Sequence, residues 1–217
     1  MKDYIRKTQY FEKLDDQDYY AILRCFSARL ILFEKGSNIV NIGDPTTNIY
    51  IIANGKARSK TYDTSGKTTI IRDFINNDIF GIDYSNQKVY LEELVALDDT
   101  YVIACNAFRF LTPCQNRCKR HIDCMKLTFL NLATLMTRQS RRIIAMSQSK
   151  TRQKIFAYLK ELSKGKKKYF KIPYNQSELA LLLGLERSSL SYELNNMKRE
   201  GIIDFDDNMY MLKKKEI

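Results

Sequence analysis

One stretch of the chain, residues 175–201, has the spacing of two short helices joined by a tight turn. Asn175 is placed to cap the first helix while Glu178, three residues on, reaches back to it, as in a capping box. Gly184 supplies a residue that adopts positive φ at little cost, where the chain must turn. The second helix is amphipathic: its inward residues are Leu190, Leu194 and Met197, and its outward ones are Arg187, Ser188, Ser191, Tyr192 and Asn195. This pattern predicts a helix-turn-helix.

The residues after this stretch predict a small β-hairpin. Residues 202–213 alternate around the polar turn at 206–208, so the two helices would be followed by a wing. A helix with short polar and basic side chains at its N-terminal end suits the major groove of DNA. An ordinary helical hairpin with a solvated polar face is the alternative, since such units also occur outside DNA binding.

The charge distribution favours the DNA interpretation. The 217 residues carry a net charge of +11, with a pI near 9.3, which favours a polyanionic partner. Residues 1–108 have a net charge of −2, residues 109–149 of +7 and residues 150–217 of +6. The positive charge therefore lies with the predicted reader of DNA and the segment before it. A membrane-surface protein can share this net charge, but no amphipathic terminal helix with a lysine-rich face stands out.

The composition predicts a soluble, cytoplasmic protein of two domains. A hydrophobic content of 44% in a chain of this length is enough to bury a core. The N-terminus shows no signal peptide, and no apolar run approaches the length of a bilayer span. Five cysteines, an odd number, do not suggest a disulfide framework. We therefore expect no membrane partner.

The front half predicts a sheet-rich roll preceded by a helix at Asp15–Phe26. Short β runs separated by turns suggest an antiparallel roll rather than a βαβ sheet. The Asn54-Gly55 pair is the strongest short hairpin signal among these turns. The predicted strands are Asn38–Ile42, Ile49–Ile52, Lys56–Tyr62, Thr68–Ile75, Val89–Leu97 and Tyr101–Cys105.

A long helix is predicted from Lys119 to Met146. It carries a strict 3-4 spacing that is typical of a two-stranded seam, formed by Ile122, Met125, Phe129, Leu132, Met136, Gln139, Ile143 and Met146. Gln139 is the polar exception, which either sets the register or touches a ligand. Packing of the helix on its own roll is the alternative, supported by Leu127 and Leu130 on another face, and both arrangements can coexist.

A roll, a dimer helix and a winged helix, in this order, resemble the Crp/Fnr superfamily of bacterial transcription regulators. The resemblance rests on residues 38–44, 49–56, 65–67 and 77–81 in the roll, and on residues 151–155 and 179–201 in the predicted DNA-binding domain. It implies an α+β fold with an N-terminal antiparallel, jelly-roll-like β-roll, a long dimerisation helix and a C-terminal winged helix-turn-helix. The predicted domains are residues 1–115, 116–148 and 149–217.

The resemblance also implies a set of partners. We expect a homodimer that binds double-stranded DNA at a palindromic operator, with an effector pocket between the roll and the long helix. RNA polymerase is a further candidate partner.

Cyclic-nucleotide binders of this family place a Gly-Glu pair before an Arg-Ser pair about ten residues later. Here Gly81 is present, but Ile82 stands in place of the Glu, and Lys88 is the only base in the stretch that follows. The adjacent Glu92 and Glu93 would repel a phosphate. We therefore predict that cAMP is not bound in the family manner; the candidate effector-pocket residues are Gly81, Ile82, Lys88 and Gln139.

Four soft ligands gather before and inside the long helix: Cys114, Cys118, His121 and Cys124. Their spacing would allow zinc or iron binding, or a thiol switch. Haem held by His121 is a further option, and small buried cysteines beside an exposed histidine are the structural alternative. The oxygen-sensing branch of the family carries a cysteine cluster near its N-terminus, but no cysteine precedes Cys25 here. Apart from this possible metal or redox site, we predict no cofactor.

The resemblance places base contacts on the second helix of the reader. The candidate base-contacting residues are Arg187, Ser188, Ser191 and Tyr192. Family members usually have arginine where Tyr192 stands, and tyrosine cannot form the bidentate fork on guanine, so the half-site should differ from the usual one. The candidate phosphate contacts are Asn175, Gln176, Ser189, Asn195 and Lys198.

We therefore predict a dimeric DNA-binding transcription regulator without enzymatic activity, controlled by an effector or redox signal other than cAMP. The alternatives are a ligand-binding signalling module that acts on a partner protein, and a constitutively active apo-regulator. Catalysis is disfavoured because no Ser/His/Asp trio, phosphate-binding glycine loop or HExxH motif occurs and His121 is the single histidine.

Overall fold

The computed structural model describes residues 2–12, 14–114, 118–165 and 168–214, with Lys2 and Asp3 described by their backbone only. The chain divides into two compact units, Met1–Ala133 and Thr134–Ile217. The predicted domain boundary between residues 115 and 116 lies outside the described residues, and the three-part division stays a prediction.

The first unit begins with two helices, α1 (Lys2–Arg6) and α2 (Asp16–Cys25). The N-cap of α2 is Asp15, whose Oδ1 accepts a hydrogen bond of 2.8 Å from the Asp18 N–H, so the predicted helix is confirmed. The strands that follow are β1 (Arg29–Phe33), β2 (Asn38–Val40), β3 (Asn48–Asn54), β4 (Ala57–Tyr62), β5 (Thr68–Phe74), β6 (Ile79–Phe80), β7 (Glu93–Ala96) and β8 (Thr100–Asn106).

These strands form two four-stranded antiparallel sheets, ordered β1-β8-β3-β6 and β2-β7-β4-β5. This confirms the predicted antiparallel roll. Two of its strands, β1 and β6, were not in the predicted set, and the strand predicted at Val89–Leu97 is restricted to β7. Val89 forms only an isolated bridge with Pro45, and the intervening segment is not part of a ladder.

The central strands β3 and β8 have a core on each face of their sheet. On one face Ile49, Ile51 and Ile103 pack with Phe26 and Phe110 from the helical segments. The opposite face contributes to a second core that joins both sheets, which includes Ile52, Phe74, Phe80, Leu94 and Val102. Alternation of side chains along a strand explains this division.

The Asn54-Gly55 turn is not the hairpin that its sequence predicted. It joins β3 to β4, which belong to different sheets. Gly55 has φ of +105°, and a Cβ there would lie 2.7 Å from Thr100 Oγ1 and 2.9 Å from Asp98 Oδ1. The Lys56 N–H donates to the same Asp98 oxygen at 2.7 Å. Contacts with the 98–100 segment therefore turn the chain from one sheet into the other.

The first unit also contains a 3-10 turn at Ile82–Tyr84, helix α3 (Ala107–Leu111) and the first part of α4 (Lys119–Met146). The bounds of α4 confirm the predicted long helix. None of the helices in the described part of the chain is both long and apolar enough to span a bilayer.

The second unit contains the end of α4 and a small three-stranded sheet. Its remaining elements are α5 (Thr151–Ser163), β9 (Phe170–Lys171), α6 (Gln176–Leu183), α7 (Arg187–Arg199), β10 (Ile203–Asp206) and β11 (Met209–Leu212). The sheet order is β10-β11-β9, with β10 and β11 forming the predicted hairpin. Buried apolar residues from α5, α6 and α7 form the core of the second unit, among them Ile155, Leu159, Leu183, Leu190 and Leu194.

Candidate functional site

Local residues define both ends of α6. Asn175 Oδ1 accepts from the Glu178 N–H at 2.9 Å, and Glu178 Oε2 accepts from the Asn175 N–H at 2.9 Å, so the predicted capping box is confirmed. At the other end of α6, Gly184 adopts φ of +63° in the left-handed region. We call residues 175–212, which comprise α6, α7 and the wing, the reader.

Helix α7 presents a polar surface because its apolar side is fully used in the core. Leu190, Leu194 and Met197 are completely buried. The first turns expose Arg187, Ser188 and Ser189, followed by Tyr192, whose exposed fraction is 69%, and Asn195; Ser191 is half-buried. The structure therefore brings the predicted base-contacting residues to one surface at the N-terminal part of α7.

The orientation of α7 is supported by an arginine of α5 that sequence reasoning missed. Arg152 Nε lies 2.6 Å from Glu193 Oε1, and its two terminal nitrogens lie 2.8 and 2.7 Å from the Glu200 carboxylate oxygens. The hydrogen bond from Arg152 lowers the pKa of Glu200 below its ordinary value. This fork fastens α5 to the C-terminal half of α7. Arg152 precedes Glu193 by 41 positions and Glu200 by 48, so no local sequence pattern signals these contacts.

Lys198 is bound to the wing. Its Nζ donates to the Phe205 carbonyl oxygen at 2.7 Å and lies 3.2 Å from Asp204 Oδ1. Lys213 Nζ lies 2.8 Å from the other Asp204 oxygen, and hydrogen bonds from Lys213 and then Lys198 lower the pKa of Asp204 to about 2. In this arrangement the lysine holds the wing against α7. Of the other predicted phosphate contacts, Asn175 caps α6 and Gln176 is its first residue.

Three of the four predicted effector-pocket residues lie in the first unit. Gly81 has φ of +91°, and a Cβ there would lie 2.8 Å from the Tyr90 hydroxyl oxygen, so this position requires glycine. Ile82 is buried, with an exposed fraction of 5%, and Lys88 is exposed. Gln139 lies in the second unit and is half-buried.

A buried carboxylate follows this segment. Glu92 is 4% exposed, and its Oε1 lies 3.2 Å from Arg72 Nη2 and accepts from the Tyr84 hydroxyl at 3.0 Å. The same Arg72 nitrogen also pairs with Asp83. Neither Glu92 Oε2 nor Arg72 Nε has a hydrogen-bond partner among the described residues. Burial and the nearby Glu92 raise the pKa of Tyr84, which keeps its hydroxyl protonated as a donor.

The predicted cysteine and histidine ligands are only partly brought together. The Sγ atoms of Cys114 and Cys118 lie 3.5 Å apart, and Cys25 Sγ lies 3.7 Å from His121 Nδ1. The ligand atoms of Cys25, Cys114 and His121 all lie within 4.8 Å of one another. Cys124 does not join this group; its thiol is 2% exposed and points to the Tyr10 carbonyl oxygen at 3.5 Å.

Two further features of this cluster differ from expectation. His121 is 1% exposed, so the alternative of an exposed histidine is wrong. Cys25, at the end of α2, was missed because it lies 89 positions before Cys114. The hydrogen bond from the Cys118 backbone N–H, at 3.5 Å, is the main cause that lowers the pKa of the Cys114 thiol to about 7.

The seam (Ile122, Met125, Phe129, Leu132, Met136, Gln139, Ile143 and Met146) is open to solvent along much of α4 in the single chain. Phe129 is 72% exposed, Met136 69% and Ile143 64%, whereas the remaining seam residues are less exposed. Large apolar side chains at this spacing and exposure are typical of a helix that associates with another copy.

Two protein families match this chain, one in each compact unit. Residues 30–117 match the family model of the cyclic nucleotide-binding domain, and residues 153–216 match that of the Crp-like helix-turn-helix domain. A curated relative is the transcriptional regulatory protein btr of Bordetella pertussis. It is 23% identical over 180 residues, which cover 78% of this chain and 71% of btr. The chain belongs to the Crp/Fnr superfamily of bacterial transcription regulators.

Solved structures of other proteins share this fold. The structure of a CooA mutant from Carboxydothermus hydrogenoformans has a TM-score of 0.72 at 19% identity, with 96% of this chain and 93% of CooA covered. The regulator CLP of Xanthomonas campestris, described as c-di-GMP responsive, has a TM-score of 0.71 at 14% identity. That likeness covers 91% of this chain and all of CLP. These likenesses confirm the α+β fold of this Crp/Fnr regulator, with its roll, long helix and helix-turn-helix.

Proposed function

We propose that this Crp/Fnr regulator acts as a homodimer that binds a palindromic operator and responds to a signal other than cAMP. The observation that carries the DNA-binding part is the exposed, polar N-terminal half of α7, with Arg187 in its first turn. Recognition helices read base edges with residues at this end. DNA as the partner also implies a cytoplasmic location.

Arg187 is the strongest candidate for reading a base. Its guanidinium is exposed, and arginine recognises guanine through a bidentate fork on O6 and N7. Tyr192 offers one hydroxyl and an apolar ring, which suits a thymine methyl group better than a guanine. We therefore propose a half-site with one arginine-read guanine and a thymine near it.

The exposed seam supports the homodimer. A lone helix that leaves Phe129, Met136 and Ile143 in water is less stable than one that covers them with a second copy. A two-fold dimer places two copies of α7 at the spacing of two half-sites, which makes the preferred operator a palindrome.

The buried Glu92 is the main argument against cAMP. It stands ten residues after Ile82, where cyclic-nucleotide binders of the family carry the arginine that neutralises the phosphate. Arg72, the cation beside it, is already paired with Glu92 and Asp83. A phosphate at this place would meet a buried carboxylate, and like charges in a low-dielectric site repel strongly.

We infer no catalytic activity for this protein. The single histidine, His121, is buried, with its Nε2 placed 2.9 Å from the Phe110 carbonyl oxygen. It is therefore not placed to exchange protons with a substrate from solvent.

The test is binding of the reduced, full-length protein to the DNA upstream of its own gene, compared with a scrambled duplex at physiological salt. We expect a clear preference for the upstream DNA. Arg187→Ala should lower that preference by about 5- to 150-fold, the equivalent of losing one bidentate base contact. Arg199→Ala is the matched control, since it removes the same charge from the other end of α7.

Two outcomes distinguish the alternatives. Equal binding to both duplexes in the presence and absence of cell extract would favour a signalling module that acts on a partner protein. Full specific affinity without any added ligand would favour a constitutively active apo-regulator. Calorimetric titration with cAMP and, separately, c-di-GMP completes the test; a binding heat with cAMP at micromolar concentration overturns the non-cAMP proposal.

A further inference from the structure

Four soft ligand groups lie near one end of α4, and we refer to Cys25, Cys114, Cys118 and His121 as the thiolate cluster. Cys25 ends α2, Cys114 follows α3, Cys118 precedes α4 and His121 lies in its first turn. Three separate segments therefore supply the group. All four residues belong to the first unit.

Three of the ligand atoms, those of Cys25, Cys114 and His121, lie within 4.8 Å of one another, and Cys118 Sγ adjoins this group through Cys114 Sγ. With Zn–S bonds near 2.3 Å and Zn–N bonds near 2.0 Å, tetrahedral geometry places two sulfurs about 3.8 Å apart and a sulfur and a nitrogen about 3.5 Å apart. The observed distances are 3.5 Å for Cys114 Sγ to Cys118 Sγ and 3.7 Å for Cys25 Sγ to His121 Nδ1. Both observed distances lie within about 0.3 Å of these tetrahedral values.

The hydrogen bonding of His121 prepares its Nδ1 for a metal. Nε2 lies 2.9 Å from the Phe110 carbonyl oxygen, which can only accept a hydrogen bond. Nε2 therefore carries the proton, and in the neutral ring Nδ1 keeps a lone pair that faces Cys25. Metal-binding histidines usually donate their second N–H to a carbonyl or carboxylate in this way.

Burial of His121 argues in the same direction. The ring is 1% exposed and packs edge-on against Phe26, and its Nδ1 faces the Cys25 thiol at 3.7 Å. A thiol is a weak hydrogen-bond donor, so this nitrogen gains little in the metal-free state. Coordination would satisfy it fully.

We propose that the thiolate cluster is a structural zinc site of the Cys₃His type. Zn²⁺ is bound by three thiolates and the neutral imidazole of His121; the three thiol protons are released to solvent, and the coordinated group carries a net charge of −1. Cys118 Sγ, which lies outside the group of mutually close ligand atoms, would move toward Cys25 and His121 to close the coordination sphere. Four protein ligands are typical of structural rather than catalytic zinc. The site would join the end of α2 to the start of α4. This inference is independent of DNA binding.

The choice between Cys25 and Cys124 gives a decisive comparison. Spacing along the sequence favours Cys124, whereas the structure places Cys25 in the cluster and turns Cys124 toward Tyr10. The experiment is zinc quantification and Co²⁺ titration on the full-length protein and on Cys25→Ser, Cys114→Ser and Cys124→Ser. Co²⁺ reports tetrahedral thiolate ligation through its visible d–d bands and its sulfur-to-metal charge-transfer absorption.

We expect one zinc per chain in the unsubstituted protein and in Cys124→Ser. Cys25→Ser and Cys114→Ser should lose more than about 100-fold in zinc affinity, which exceeds the usual effect of removing an outer-shell partner. Zinc that is substoichiometric and removed by dialysis would overturn the proposal. So would retention of zinc by Cys25→Ser, loss of zinc in Cys124→Ser, or an iron–sulfur absorption in anaerobically purified protein.

A second measurement covers a variant that fails to fold. Alkylation of the unsubstituted protein, followed by mass spectrometry, compares thiol reactivity with and without added Zn²⁺. Zinc should protect Cys25, Cys114 and Cys118, whereas the buried Cys105 and Cys124 should react slowly in both states. Equal reactivity of the three cluster thiols in both states would contradict zinc binding.

Discussion

The reader and the roll keep their family fold in different ways. In the reader, local residues set the helix ends: Asn175 caps α6, Gly184 ends it, and Arg187 begins α7 three residues later. In the roll, Glu92 is a buried carboxylate, which we propose disfavours a cyclic phosphate. A shared fold therefore does not by itself fix the ligand.

The largest expected effect concerns α4, the helix whose residues are divided between the two units. Met136→Glu places a charge in the seam of each protomer, and in a two-fold dimer the two carboxylates would face each other. We expect the dimer dissociation constant to rise by more than about 100-fold, equivalent to about 2.7 kcal/mol, by analytical ultracentrifugation. Thr134→Glu, on the opposite side of the helix, should leave it unchanged. Equal dimerisation of both variants would place the interface elsewhere.

The second prediction asks whether the two regions are stabilised separately. Leu194 in the reader and Ile103 in the roll are both fully buried. Substitution of either by alanine should cost about 2–5 kcal/mol of unfolding free energy, because it leaves a cavity. Hydrogen exchange followed by mass spectrometry should show faster exchange only in the unit that carries the change. Faster exchange in both units for either variant would contradict two separate cores.

A smaller effect is expected at the cap of the reader. Asn175→Ala removes the side chain that accepts from the Glu178 N–H, and should lower the stability of the reader by about 1 kcal/mol. Asn175→Ser is the control, since serine caps helices nearly as well. Urea unfolding of the second unit measures both variants. An alanine variant as stable as the serine variant would show that tertiary packing alone holds α6.

The smallest expected change in stability concerns two buried tyrosines, which should differ in what their hydroxyl groups contribute. Tyr90 in the roll donates its hydroxyl hydrogen bond to the Asn48 carbonyl oxygen, whereas the Tyr210 hydroxyl in the reader has no partner among the described residues. Tyr90→Phe should cost about 1 kcal/mol, and Tyr210→Phe should be neutral or slightly stabilising. Burial raises the pKa of Tyr210 to about 12, so spectrophotometric titration should show ionisation delayed beyond that of a free tyrosine. Equal losses in the two variants would contradict this difference.

Local signals predicted the reader and the long helix well. Asn175, Glu178 and Gly184 lie within nine positions of one another, and the seam spacing repeats along a single helix, so short segments of the sequence carry the information. The predicted bounds of α4 agree with the structure at both ends. Which bases the reader contacts, and whether the seam pairs two copies, stay predictions.

Contacts between distant segments explain the failures. The Asn54-Gly55 pair is a hairpin signal only if the flanking strands pair, and the 98–100 segment decides that they do not. The cysteine cluster was predicted from one contiguous stretch, although Cys25 reaches it from α2. The pairing of Arg72 with Glu92 likewise joins residues 20 positions apart. No local periodicity encodes any of these contacts.

The ion pairs of Arg152 with Glu193 and Glu200 have a consequence for how salt would affect dissociation from DNA. Residues 150–217 have a formal charge of +6, but Arg152, Lys198 and Lys213 already face carboxylates within the protein. Cations neutralised internally displace few ions from the DNA backbone, so the dependence of affinity on ionic strength should be shallower than the residue count suggests. Loss of both Glu193 and Glu200 would release Arg152 from these pairs. Acidic residues of the protein would therefore help to set the ionic strength at which a complex with DNA dissociates.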